Sequence, residues 1–316
     1  MTTGELLDRF PGMHVLVIGD LMLDEYIVGK ATRISPEAPV MVVHQQRTFA
    51  VPGGAANVAK NIEALGGRAT VFGVVGDDPA GAELRSALGG GAVVISDPNR
   101  PTTRKTRVLA DTSHQVLRID HESDSKLTSE IESQLIAAVS LRVAEADAVL
   151  LSDYTKGVLN QELVSEVIRL AHQKGIPVVA NAKPTSLPLY RGANLVSLNA
   201  KEAAEAIANK DALQEYGPIQ VAKELASDYG IQHVLITLGD KGMATDEFTI
   251  DPQKVEVFDT AGAGDTTIAT ISLGMAAVGF DKAVFDLAAH TSAAVVRHVG
   301  VAVPSDEDIQ RIRDLQ

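Results

Sequence analysis

Cysteine is absent from this chain, so neither disulfides nor thiolate chemistry belongs to it. No uninterrupted apolar run of about 18 residues occurs, which argues against a transmembrane helix. The opening stretch from Met1 to Pro11 carries Glu5, Asp8 and Arg9 among its apolar residues. Lacking a basic start and a continuous apolar stretch, it does not read as a secretory signal, and a cytoplasmic protein is expected. Basic residues are in deficit, 28 Lys and Arg against 41 Asp and Glu, for a net charge of −13. That balance argues against non-specific nucleic-acid binding and against anionic membrane surfaces. It leaves room for a small anionic substrate held by a few local basic groups. Familiar phosphate-binding signatures are missing as well: there is no Gly-Lys-Ser/Thr Walker loop, no Gly-x-Gly-x-x-Gly and no protein-kinase set. Without cysteine or His-Glu-x-x-His, a zinc site is not expected.

What is present is ordinary for a globular protein, with 45% hydrophobic and 22% charged residues among 316. His14 to Asp20 is a continuous apolar run ending in Gly-Asp, as suits a buried parallel strand. Similar runs span Ala69 to Val75, Ala148 to Ser152, Ile176 to Ala180, Leu195 to Leu198 and His233 to Thr237. Helical patterns separate them, at Ala55 to Leu65, Ala80 to Leu88, Ser129 to Ala144, Gln161 to Gln173, Ala200 to Ala208 and Ile219 to Asp228. The chain ends on three more, Ala263 to Ala277, Lys282 to Val296 and Ser305 to Leu315. This alternation predicts an α/β fold: a doubly wound, mainly parallel sheet with helices on both faces and ligands at the carboxyl ends of its strands. With no linker or repeat, residues 1–316 are expected to form a single domain. Two stretches break the alternation, about 25–46 and 102–120, where short strands surround a Pro-containing loop and a polar turn at Asp111 to His114. They predict either a small β-sheet lid over the site or an ordinary pair of surface hairpins.

The strongest local motif is Asp259-Thr260-Ala261-Gly262-Ala263-Gly264-Asp265, set between an expected strand, Val255 to Phe258, and a helix. Gly262, Ala263 and Gly264 at a helix start offer converging backbone N–H groups and the positive end of the helix dipole, an anion hole for a transferring phosphoryl group. A carboxylate beside that hole is better used to accept a proton than to bind phosphate, which makes Asp265 a candidate general base. The alternative is a simple helix cap. The second motif is Gly53-Gly54-Ala55-Ala56-Asn57 at another helix start. The glycines there permit close approach of a ligand, and Asn57 suits a pair of sugar hydroxyls. Equally, small residues there could serve helix–sheet packing.

These two motifs, in this order and separation, resemble the signatures of the ribokinase-like (PfkB) carbohydrate kinases, and the resemblance runs over essentially the whole chain. Within that family the chain most resembles kinases of heptose 7-phosphate, through Gly19 to Asp24, Arg33 to Val40, Thr102 to Leu109, Leu117 to Asp120 and Leu151 to Gly157. The resemblance implies a ribokinase-like fold whose β lid often clasps a second subunit in a homodimer. It implies ATP with Mg²⁺ as donor, and phosphorylation of the anomeric hydroxyl of a heptose 7-phosphate to give the 1,7-bisphosphate. Similar kinases are often fused to a nucleotidyltransferase. Here no His-x-Gly-His occurs, and that second activity is expected to be absent.

Residue by residue, the resemblance places Asp20, Asp24, Asn57, Gly53, Gly54 and Asp153 at the sugar. Asn199 and Glu202 match the family's Asn-x-x-Glu near Mg²⁺ and the ATP phosphates, with Glu202 the metal residue acting through water. An exposed helix start capped by Asn199 is the other reading of that spacing. Thr237, Gly239 and Gly242 belong to the nucleotide-side turn, and Lys183 could meet phosphate charge. On a strand after Thr103, Lys105 and Arg107 project together and could hold the distal phosphate of the substrate. Arg33 is the other candidate, and an edge strand carrying protective charges is the alternative. His290 stands where many relatives carry Asn near the adenine. Asn181-Ala182-Lys183 departs from the usual Asp-Pro-Lys and removes a carboxylate near the phosphates.

Overall fold

The computed structural model describes residues 1–111, 114–298 and 300–315, so Thr112 and Ser113 of the expected polar turn lie outside the described residues. Its strands are β1 (His14–Gly19), β2 (Leu21–Ile34), β3 (Met41–Gly54), β4 (Arg68–Gly76), β5 (Val93–Asp97), β6 (Thr103–Ala110), β7 (His114–His121), β8 (Ala148–Ser152), β9 (Val178–Asn181), β10 (Leu195–Asn199), β11 (His233–Thr237), β12 (Met243–Thr245) and β13 (Thr249–Ile250). Nine of them form one sheet in the order β13-β12-β11-β10-β9-β8-β1-β4-β5. Every pairing from β5 to β11 is parallel, and β12 and β13 add an antiparallel edge.

Side chains alternate along a strand, so one buried strand feeds two cores. Val15 and Val17 of β1 pack with Leu150 and Leu235 beneath the helices Ala55–Ala64, Ala263–Val278 and Lys282–Val295. Leu16 and Ile18 face the other side, with Val149 and Leu151, against Ser129–Ser140, Gln161–Gln173 and Pro218–Tyr229. That two-sided burial is why these strands read as unbroken apolar runs.

The remaining four strands form a second sheet, ordered β3-β2-β6-β7. β2 and β3 are each 14 residues long, running well beyond the short strands expected near Tyr26 and Val40. β2 follows β1 with only Asp20 between, and β3 runs directly into the helix Ala55–Ala64. The small sheet therefore springs from the carboxyl end of β1 at the centre of the large one. The strand expected at Val255 to Phe258 does not form. It has no strand partner; instead the N–H groups of Phe258 and Asp259 both donate to the Val296 carbonyl, 2.8 and 3.2 Å away, tying the segment to a helix end.

Candidate active site

Gly262 takes a left-handed φ of 86° and starts the helix Ala263–Val278, a conformation that glycine adopts without strain. Ala263 N donates to the Thr260 carbonyl, and Thr266 N to that of Gly262. Among the described residues the N–H groups of Gly264 and Asp265 have no acceptor, as first-turn donors do not unless something caps them. Gly264 has open space where a side chain would stand. A cavity of ≈ 890 Å³ opens here, lined by Thr260, Ala263, Gly264 and Thr267 on one side and by Thr237, Gly239, Asp240 and Gly242 on the other. That is a volume suited to a nucleotide-sized ligand.

Asp265 stands in the first turn of that helix and is 8% exposed. It does not cap the helix. Its Oδ2 accepts from Asn57 Nδ2 at 2.7 Å, and its Oδ1 accepts from the Tyr154 hydroxyl at 2.5 Å. Burial raises its pKa to about 6, against the opposing pull of those two donors and of the Lys183 charge. The carboxylate is thus buried by neutral partners rather than locked in an ion pair, and it is held near the pH at which a general base works best. Tyr154 was not singled out from the sequence as a site residue. Its neighbour Asp153 was the residue named there, and nothing local marks a loop tyrosine as the partner of a residue 111 positions away.

The two glycines before Asn57 serve the protein's own close contacts. A side chain on Gly53 would strike Asp24 Oδ2, and one on Gly54, at φ +59°, would strike the Asp20 carbonyl. The close approach expected of a ligand is made by the small sheet's own carboxylate. Asp24 is buried and pairs with Arg107, whose guanidinium also lies over the Tyr26 ring. Lys105 shares that face of β6; it lies 5.7 Å from the Tyr154 ring centroid and makes no ion pair among the described residues.

Several expected ligands do other work. Asp20 is 1% exposed, and its oxygens accept from the backbone N–H groups of Tyr154, Lys156 and Val158. It holds the loop that follows β8. Asp153 is equally buried, accepting from Thr155 N and the Tyr190 hydroxyl at 2.7 Å each. Arg33 lies exposed near the far end of β2, nine residues past Asp24 and so about 30 Å along an extended strand, and is not brought together with the others. His290 faces a smaller cavity of ≈ 210 Å³ with Arg297 and Arg311. The larger cavity is lined from that helix by Ala289, Ser292, Ala293 and Val296, the i, i+3, i+4, i+7 stripe that excludes position 290.

Asn199 caps the helix Ala200–Ala206 in a reciprocal box with Glu202, at 2.9 and 2.8 Å, and Glu202 Oε1 also accepts from Lys183 Nζ at 2.6 Å. Both Glu202 oxygens therefore carry partners. They fit a magnesium ion held through water, since Mg²⁺ keeps most of its hydration and takes its direct ligands from phosphate. Asn181 Oδ1 accepts from Asp153 N at 2.8 Å, a bond that an aspartate could make equally well.

The family model for pfkB family carbohydrate kinases matches residues 13–308. The chain belongs to the pfkB family of carbohydrate kinases. It is 37% identical over 322 residues to a bifunctional protein HldE of Bradyrhizobium diazoefficiens, covering 97% of this chain and 64% of that protein. Another bifunctional protein HldE, from Caulobacter vibrioides, is 43% identical over 280 residues, covering 85% and 56%. The chain thus spans under two thirds of the length of these relatives. Among solved structures, Escherichia coli phosphofructokinase-2 superposes with a TM-score of 0.75 at 20% identity, over 96% of this chain and 98% of the other. Arabidopsis thaliana ribokinase, solved with ribose and ATP, gives 0.70 at 19%, over 97% and 100%. These neighbours show the ribokinase-like fold. Among the described residues no helix is long and apolar enough to cross a membrane.

Proposed function

We propose that this member of the family is an ATP-dependent kinase that transfers the γ-phosphoryl group to the anomeric hydroxyl of a heptose 7-phosphate, yielding the 1,7-bisphosphate. One observation carries the kinase reading: Asp265, a buried carboxylate with its pKa at about 6, also supplies with Gly264 a free N–H pair at a helix start. ATP occupies the large cavity with its phosphates toward Gly264. The acceptor hydroxyl gives its proton to Asp265 as its oxygen bonds to the γ-phosphorus, and the bond from that phosphorus to the ADP oxygen breaks. The Gly264 and Asp265 N–H groups meet the charge that develops on the phosphoryl oxygens. Magnesium, when bound, neutralises phosphate charge, and Glu202 would hold it through water.

The small sheet acts as the lid, and Lys105 on β6 would take the distal phosphate. Its neighbour on that face, Arg107, is committed to Asp24, and Lys156, in the loop after β8, pairs with Glu122. The heptose reading rests on the Arg33 to Val40 and Thr102 to Leu109 runs, and the lid is proposed to pair two subunits. ADP release measured across sugars and sugar phosphates tests the substrate. A heptose 7-phosphate is expected to be preferred, and preference for an unphosphorylated sugar would refute that choice.

A further inference from the structure

We propose that Tyr154 is a positioning residue for the base: with Asn57 it clamps one oxygen each of Asp265 and keeps that carboxylate aligned as the proton acceptor. The inference rests on the reading of Asp265 given above and adds to it a residue from a different part of the chain.

The loop that carries Tyr154 is fixed to an unusual degree. It leaves the carboxyl end of β8, and its backbone N–H groups at Tyr154, Lys156 and Val158 are all taken by the one buried carboxylate of Asp20. Thr155, the next residue, sits at φ +56°, a left-handed conformation that a β-branched residue rarely adopts. Asp153 holds it there through the Thr155 N–H. Gly157 follows at φ +83°, where any side chain would strike the Ser125 carbonyl. A strained turn that the surroundings over-determine is a device for aiming a group, and the group aimed here is the Tyr154 ring. Its hydroxyl reaches Asp265 Oδ1, while Lys105 from the small sheet and Lys183 from beyond β9 each lie 5.7 Å from its ring centroid. The ring therefore lies within reach of both the cation assigned to the sugar side and the cation assigned to the nucleotide side.

The charged groups facing this pair are Asp24 of β2 and Lys183 around Asp265, and Asp20, Asp24, Lys105 and Lys183 around Tyr154. Burial drives the Tyr154 hydroxyl well above its ordinary pKa, so it stays a donor throughout the working range. A donated hydrogen bond favours the charged form of Asp265, against the burial that disfavours it. Each carboxylate oxygen keeps a second lone pair, which leaves room for the acceptor hydroxyl beside Tyr154 and Asn57.

The test compares the kcat/KM pH profile of the full chain and of Tyr154→Phe, with ATP, Mg²⁺ and the best sugar phosphate from the panel. The expected result is an acid limb displaced upward by about one pH unit, with roughly tenfold loss near the limb and little loss at alkaline pH. A loss equal at every pH would mean a merely structural role, and a gain in turnover or a lower KM would mean that Tyr154 blocks the base; either overturns the proposal. Carbon-detected NMR titration of the Asp265 carboxyl in both proteins reads the same displacement without turnover. An unmoved Asp265 titration contradicts the clamp even if the variant is inactive. Absence of sugar-dependent ADP release from the unsubstituted protein would instead strike the kinase reading itself.

Discussion

Burial is the physical cause that lifts Asp265 from the usual carboxylate range to about 6, and the same cause makes the residue a cost to the fold at neutral pH. A carboxyl whose pKa is raised on folding contributes stability below its unfolded value, near 4, and that contribution is lost as pH rises through 6. Asp265→Asn is therefore expected to stabilise the protein by about 1–3 kcal/mol at pH 8 and by almost nothing at pH 4, as read by urea unfolding at the two pH values. Equal effects at both would show that burial is not what holds the pKa up. Gly264 gives a complementary case. With an open approach and a helical position, Gly264→Ala is expected to add about 0.5–1 kcal/mol of stability while its methyl group intrudes on the cavity and raises the KM for ATP. Thermal unfolding and ATP kinetics on the one variant check both halves. Asp265 was legible in the sequence because glycines at a helix start announce an anion hole locally. Tyr154 was not, because its partner is supplied by the tertiary fold. That Asp20 and Asp153 tie down loops was not legible either, because a carboxylate that holds a loop looks the same in sequence as one that binds a sugar.

Elements buried on both faces were the most legible: β1, β8, β10 and β11 lie within a residue of the apolar runs that announced them. β5 is mostly half-buried at the sheet edge, and β12 and β13 are three and two residues long, so none gives a sustained pattern. β2 and β3 were foreshortened because charged residues such as Glu25, Lys30 and Arg47 interrupt them, and the pairing register shifts at Val28/Gly29 and Ala31/Arg33. The joint between the two sheets makes its own demand. Gly53→Ala and Gly54→Ala each force an atom into Asp24 or into the Asp20 carbonyl, the second also at a positive φ. Each is expected to cost about 2–4 kcal/mol and to move the Asp24 carboxylate in the first case and the Asp20 backbone in the second, lowering activity beyond what the loss of folded protein explains. Denaturant midpoints paired with specific activity per folded molecule separate these effects. Activity restored in full at low temperature would show that the joint positions nothing.

At the scale of the whole molecule, a large, mainly parallel sheet carries the cavity proposed for the nucleotide, and a small sheet springs from the carboxyl end of its central strand. The small sheet leaves Leu117 and Ile119 52% and 53% exposed, two residues apart on β7 and so on one face, with Ile34 and Met41 exposed at its far end. If that sheet pairs two subunits, Leu117→Glu combined with Ile119→Glu is expected to halve the mass seen by light scattering without unfolding the chain. An unchanged mass would remove the proposed dimer. The central claim is that this molecule moves a phosphoryl group from ATP to a sugar phosphate by means of one buried carboxylate. Its most direct test is sugar-dependent ADP release by the unsubstituted chain and by Asp265→Asn, with ATP affinity measured on both by calorimetry. The expected result is a fall in turnover of about 10²–10⁴-fold with ATP binding unchanged. Near-normal turnover from the Asn variant would contradict it.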